Sequence, residues 1–167
     1  MEELKQLADA LIRRAKAANL GIVTAESCTA GRMCQVLADA EGASTFFHGG
    51  FVTYTKQHKT CALDVPEALL RRKGAVCAEV ARAMAEGALR HSKAGISAAI
   101  TGVAGPEPDE DGNPVGRVCI AVARRGFPSR ALERHYPDAG PDAIRQAAVA
   151  DALRAMTEAL GSVSAAA

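Results

Sequence analysis

The run Thr24-Ala25-Glu26-Ser27-Cys28-Thr29-Ala30-Gly31 gathers hydroxyls, a thiol and a carboxylate on neighbouring residues. Ser27 is a candidate nucleophile for hydrolysis, and a serine hydroxyl needs an adjacent base to act as one. Lys59 is a candidate for that base. A lysine drawn partly out of water has a lowered pKa, and its neutral amine can accept a serine proton. Lys56 and His58 compete for the same role. Cys28 offers a second nucleophile, because a thiol at a helix start has a depressed pKa; its alternative is a small buried residue. Ser27 is also well suited to capping a helix. Glu26 would either orient a lysine or substrate group, or cap a helix with its carboxylate.

A second cluster, Thr101-Gly102-Val103-Ala104-Gly105-Pro106, is built of small residues that let backbone N–H groups approach a phosphate or carboxylate. It lacks the spacing of a P-loop, and the chain carries no GxGxxG fingerprint. Arg145 and Arg117 are candidate cationic partners for an anion. Asp39, Glu41 and the run from Glu107 to Asp111 read as solvated loop acids.

These residues have to be positioned by the elements around them. Leu4, Leu7, Leu11 and Ala15 recur at helical spacing, which predicts an amphipathic helix over 2–18. A buried strand over 20–25 follows and turns through the Ser27 run into a helix over 32–38. Gly42-Ala43-Ser44 breaks the chain before a strand over 46–54, whose Gly49-Gly50 pair marks a bend or a close backbone approach. Helical segments are predicted at 56–62, 66–72 and 78–91, and a small-residue strand at 95–100. A strand over 115–123 and its hairpin partner over 131–136 precede a last helix opened by Pro141 and closed by Gly161. Alternating strands and helices with one late hairpin imply a mixed, mostly parallel sheet of about five strands, covered on both faces. Ligands of such folds gather at the carboxyl ends of the strands. Thr24–Thr29, Tyr54–Lys59 and Thr101–Gly105 all fall at such ends.

At 167 residues the chain is expected to form one domain over 1–161, burying about two-thirds of its unfolded surface, with a disordered tail at 162–167. A formal charge of +1 argues against a strong pull toward nucleic acid or anionic membrane. No apolar run has membrane-spanning length, and the start of the chain lacks a signal-peptide layout, so a cytoplasmic protein is expected. Five cysteines without CxxC spacing and four scattered histidines suggest neither a disulfide framework nor a metal site.

Taken in order, these segments resemble the CinA C-terminal domain family, the nicotinamide mononucleotide amidohydrolases. The resemblance rests on TAESCTAG at 24–31 and on Gly49-Gly50-Phe51-Val52-Thr53-Tyr54 with Lys59 downstream. Gly74-Ala75-Val76, the run Ala83 to Ala88, Thr101 to Pro106 and Pro114-Val115-Gly116 continue it, covering about residues 2–160. The resemblance implies a three-layer α/β/α sandwich, a homodimer, and a stand-alone form of the domain without metal or cofactor. It implies hydrolysis of the carboxamide of nicotinamide mononucleotide by a dyad of Ser27 and Lys59, with Tyr54 in the pocket. Substrate contacts are expected from Glu26, Cys28, Thr29, Thr101, Gly102, Ala104, Gly105 and Arg145. Alternatives are a non-catalytic nucleotide- or partner-binding module of the same fold and a serine–lysine hydrolase of another small amide. The chain departs from the family pattern at Ala30, in place of a glycine, a mild change if the helix has begun there. It departs also at Cys77, at Glu107-Pro108-Asp109-Glu110-Asp111, at Asn113 and at Ala139-Gly140-Pro141. A cation lost and acids gained would weaken phosphate binding if these segments line the pocket.

Overall fold

The computed structural model describes residues 2–161; the tail expected at 162–167 lies outside them. Helix α1 (Glu2–Ala18) buries Leu4, Ala8, Leu11, Ile12 and Ala15 along one stripe and carries Glu2 and Glu3 in its first turn, where the helix dipole favours acids. Strand β1 (Ile22–Glu26) is buried throughout. Helix α2 (Arg32–Ala38) and a single-turn helix α3 (Ala43–Phe46) lead into β2 (Phe47–Val52). The sequence shows only a break where α3 forms. Helices α4 (Lys56–Leu63), α5 (Glu67–Lys73) and α6 (Ala78–Arg90) precede β3 (Ile96–Gly102). A loop, β4 (Arg117–Arg124), β5 (Arg130–His135) and α7 (Pro141–Gly161) complete the order.

The sheet is mixed and five-stranded, in the order β2-β1-β3-β4-β5. β1 pairs parallel with β2 and β3, whereas β3–β4 and β4–β5 are antiparallel, so parallel pairing is confined to three strands. Period-two alternation splits each central strand between two cores. Ile22, Ile96, Ala98, Ile100, Val118 and Ile120 pack with α1, α2 and α7. Val23, Ala25, Ala99, Cys119 and Ala121 pack with α4 to α6 on the opposite face. This is a three-layer α/β/α sandwich.

Two glycines fix close approaches that the site depends on. A Cβ at Gly50 would stand 2.1 Å from Thr24 Oγ1 and 2.3 Å from Cys34 Sγ, so β2 lies flush against the Thr24–Cys34 contact. A Cβ at Gly87 would stand 2.1 Å from the Leu63 carbonyl oxygen, so α6 seats directly against the end of α4. Among the described residues, no helix is long and apolar enough to cross a membrane.

Candidate active site

Because β1, β2 and β3 run parallel, their carboxyl ends share one edge of the sheet. Ser27 follows β1 directly, and its N–H donates to the Ile100 carbonyl at 2.9 Å, extending the β1–β3 ladder by one residue. Lys59 belongs to α4, whose first turn is fixed by Thr55 Oγ1 accepting the His58 N–H at 3.1 Å. From there the lysine side chain runs inward and is only 1% exposed. Its Nζ donates to Ser27 Oγ at 2.7 Å, to the Thr53 carbonyl at 2.8 Å and to the Tyr54 carbonyl at 3.4 Å. An ammonium has three protons to place, and here each has an acceptor. Burial pulls the Lys59 pKa down to about 8, with Cys28 opposing and Lys56 adding slightly to the shift. Loss of the proton facing Ser27 would leave an amine lone pair aimed at the hydroxyl while two N–H donors stay on the carbonyls.

The rival bases separate on geometry. Lys56 Nζ lies 2.7 Å from Glu110 and 2.8 Å from Asp111, and these carboxylates raise its pKa, so it stays charged. His58 is exposed and does not line the cavity. Cys28 is buried, and burial pushes its thiol up to about 12, the reverse of the depressed value expected for a thiol at a helix start. Such a thiol is protonated at neutral pH and is a poor nucleophile.

Glu26 does not reach the substrate side. Alternation along β1 turns its side chain to the face that holds α2, and it is fully buried there. Its carboxylate accepts from Gly31 N at 3.1 Å, Met33 N at 3.0 Å and Cys34 N at 2.8 Å, capping α2 from upstream. Ser27 therefore has no capping duty; Gly31 is the N-cap residue and makes no side-chain bond. Thr29 is buried with its hydroxyl unpartnered, and it does not reach the cavity wall. Ala30 holds φ 50, a left-handed conformation, because the helix starts only at Arg32. Among the described residues, the N–H groups of Cys28 and Thr29 have no backbone carbonyl as acceptor.

Ser27, Cys28 and Lys59 open into a cavity of about 510 Å³. Gly102, Ala104 and Gly105 form part of its wall, as does Thr101, whose hydroxyl donates to the Ala75 carbonyl at 2.8 Å and ties the Gly74-Ala75-Val76 segment to the end of β3. Arg145 reaches the wall from α7, with Nε donating to the Cys28 carbonyl at 2.9 Å. Tyr54 stands at the rim, 63% exposed, and touches the dyad through its carbonyl rather than its phenol. Glu107, Asp109, Glu110 and Asp111 also line the cavity, and Glu107, Glu110 and Asp111 are exposed to solvent there, as read from the sequence. Asp109 folds their loop back by accepting from Asp111 N and from Asn113 N and Nδ2, at 2.7 to 3.0 Å. Arg117, a candidate anion partner, instead pairs with Glu133 at 3.0 Å. Sequence reasoning missed the Thr53 carbonyl, which has no side-chain signal.

Comparison with known proteins agrees with this architecture. The model of the CinA C-terminal domain matches residues 4–160. A CinA-like protein of Synechococcus sp. (strain RCC307) is 44% identical over 148 residues, covering 88% of this chain and 35% of that protein. Protein YdeJ of Escherichia coli K12 is 43% identical over 125 residues, covering 75% of this chain and 73% of YdeJ. The chain thus spans about a third of the length of the longer curated relatives it matches. The crystal structure of competence/damage inducible protein CihA from Agrobacterium tumefaciens superposes with a TM-score of 0.90 at 38% identity, covering 95% of this chain and 96% of the other. The chain belongs to the CinA C-terminal domain family.

Proposed function

We propose that this protein is a serine–lysine amidohydrolase acting on the carboxamide of a nicotinamide nucleotide or nucleoside, nicotinamide mononucleotide being the substrate that the resemblance implies. The observation that carries the reading is the 2.7 Å contact between Lys59 Nζ and Ser27 Oγ at the floor of a cavity large enough for a small ligand. Neutral Lys59 takes the Ser27 proton as Oγ attacks the amide carbon. The resulting oxyanion would be met by backbone N–H groups in the turn after Ser27, that of Cys28 being the one on a residue that lines the cavity. Lys59 then returns its proton to the departing nitrogen, releasing ammonia and leaving an acyl ester on Ser27. A water molecule, deprotonated by Lys59, cleaves the ester and frees the carboxylate product.

Ammonia release from nicotinamide mononucleotide tests the reading. The wild type should release it and Ser27→Ala should not, with both proteins melting at similar temperatures. Release by Ser27→Ala at the wild-type rate would eliminate the serine mechanism. Silence of both proteins, combined with a rise in melting temperature on adding the nucleotide, would favour a binding module instead.

A further inference from the structure

The charges around the cavity are unbalanced. Glu107, Asp109, Glu110 and Asp111 face it, and none of them is neutralised by a partner outside the cavity wall. Against them stand Lys56, Arg145 and the dyad lysine, which must be neutral to act. Lys56 is held by both Glu110 and Asp111. Arg145 has its Nε fixed on the Cys28 carbonyl, leaving its two terminal nitrogens for a ligand. A phosphate is normally met by several cationic or N–H donors at once. Here the entering dianion would have to displace two carboxylates from Lys56 and then lie beside them.

We infer that the cavity selects against a substrate phosphate: it prefers a nicotinamide nucleoside, a pyridinium cation without phosphate, over the mononucleotide, and Glu110 and Asp111 set that preference by occupying Lys56. The inference takes its carboxamide from the amidase reading, but charge selection also shows in binding alone. The excess carboxylates attract the pyridinium charge and repel the phosphate, so both ends of the comparison move in the same direction. The Lys56 pairing adds a second effect, because neutralising its partners releases an ammonium at the rim.

The test compares nicotinamide riboside with nicotinamide mononucleotide in wild type and in the Glu110→Gln/Asp111→Asn variant, at low ionic strength, with melting temperatures as a fold control. The wild type should favour the riboside in kcat/KM by about tenfold or more, and the variant should move the ratio toward the mononucleotide by about tenfold, with the difference shrinking as salt is raised. Glu110→Gln alone, at a side chain 74% exposed and tolerant of replacement, should move it in the same direction by a smaller factor. A wild type that favours the mononucleotide, or a ratio unmoved in both variants, would overturn the inference. If neither compound releases ammonia, the amidase reading fails, and the dissociation constants of the same compounds by calorimetry then decide. Tighter riboside binding that weakens relative to the mononucleotide in the variant supports the inference. Tighter mononucleotide binding, or binding of neither, overturns it.

Discussion

Lowering the assay pH should slow this protein in proportion to the protonation of one buried amine. With the Lys59 pKa drawn down to about 8, the neutral form makes up about nine-tenths at pH 9, about a tenth at pH 7 and about a hundredth at pH 6. The kcat/KM for ammonia release should therefore rise about tenfold per pH unit below pH 7 and level off near pH 9. Lys59→Arg, which keeps the charge but cannot lose it, should fall by about a thousandfold. The same proton has a thermodynamic signature of known sign. The folded-state pKa lies below the ordinary lysine value of 10.5, so the unfolded chain binds more protons between about 8 and 10.5, and stability rises with pH across that window. The penalty is fully present below about pH 8 and absent above about 10.5, and from the shift it is on the order of 3 kcal/mol. Urea unfolding of wild type and Lys59→Met at a series of pH values isolates it. The buried thiols Cys28 and Cys119 and the half-buried Cys34, pushed up to about 12, lower stability with rising pH and largely cancel in the difference. A flat rate between pH 6 and 9, or parallel stability curves, would refute the assignment of Lys59 as a desolvated base.

Cys28→Ala should keep activity within a few-fold, because its thiol is protonated at working pH; complete loss in a folded variant, measured by ammonia release, would move the nucleophile to Cys28. Glu26→Gln replaces a buried acceptor of three N–H groups and should destabilise the protein by about 2–3 kcal/mol in urea unfolding, loosening the Ser27 turn as well. Ala30→Gly should stabilise by about 1 kcal/mol, since the position holds a left-handed φ that costs alanine more than glycine; a decrease in the urea midpoint would contradict this. Gly87→Ala should lower both stability, by about 1–3 kcal/mol, and turnover, because the added methyl meets the Leu63 carbonyl and displaces the helix that carries Lys59.

The order of elements was legible because apolar periodicity changes cleanly along the chain. The stripe from Leu4 to Ala15 and the unbroken burial of β1 follow directly from residue type. The convergence of Ser27 and Lys59 could be argued from topology, since parallel strands end at a common edge, but their 2.7 Å separation could not. Glu26 was ambiguous for a definable reason. Its partners lie five, seven and eight residues downstream, beyond the local spacing of a capping box, so only the pleat of β1 tells which face it takes. The acidic loop reads as solvated, and Glu107, Glu110 and Asp111 are exposed, but nothing in its composition shows that it also borders the cavity. What holds it beside the cavity is the set of Asp109 bonds to its own backbone and to Asn113, together with the distant Lys56. The conformation of Ala30 was hidden because a left-handed turn there leaves no mark in alanine itself.

The division of the dyad between two elements also has a consequence for latency. In an unfolded chain Ser27 is an ordinary alcohol and Lys59 an ordinary ammonium, and neither has chemistry to offer. On the proposed amidase reading, reactivity arises only after β1 and β2 have paired, α4 has seated against α6, and water has been driven from around the amine that Thr53 and Tyr54 hold. A nascent or half-opened chain is therefore chemically silent, however much helix it has formed. Under that proposal, turnover per molecule would be a gauge of completed tertiary closure, since it would report the exclusion of water from a single amine.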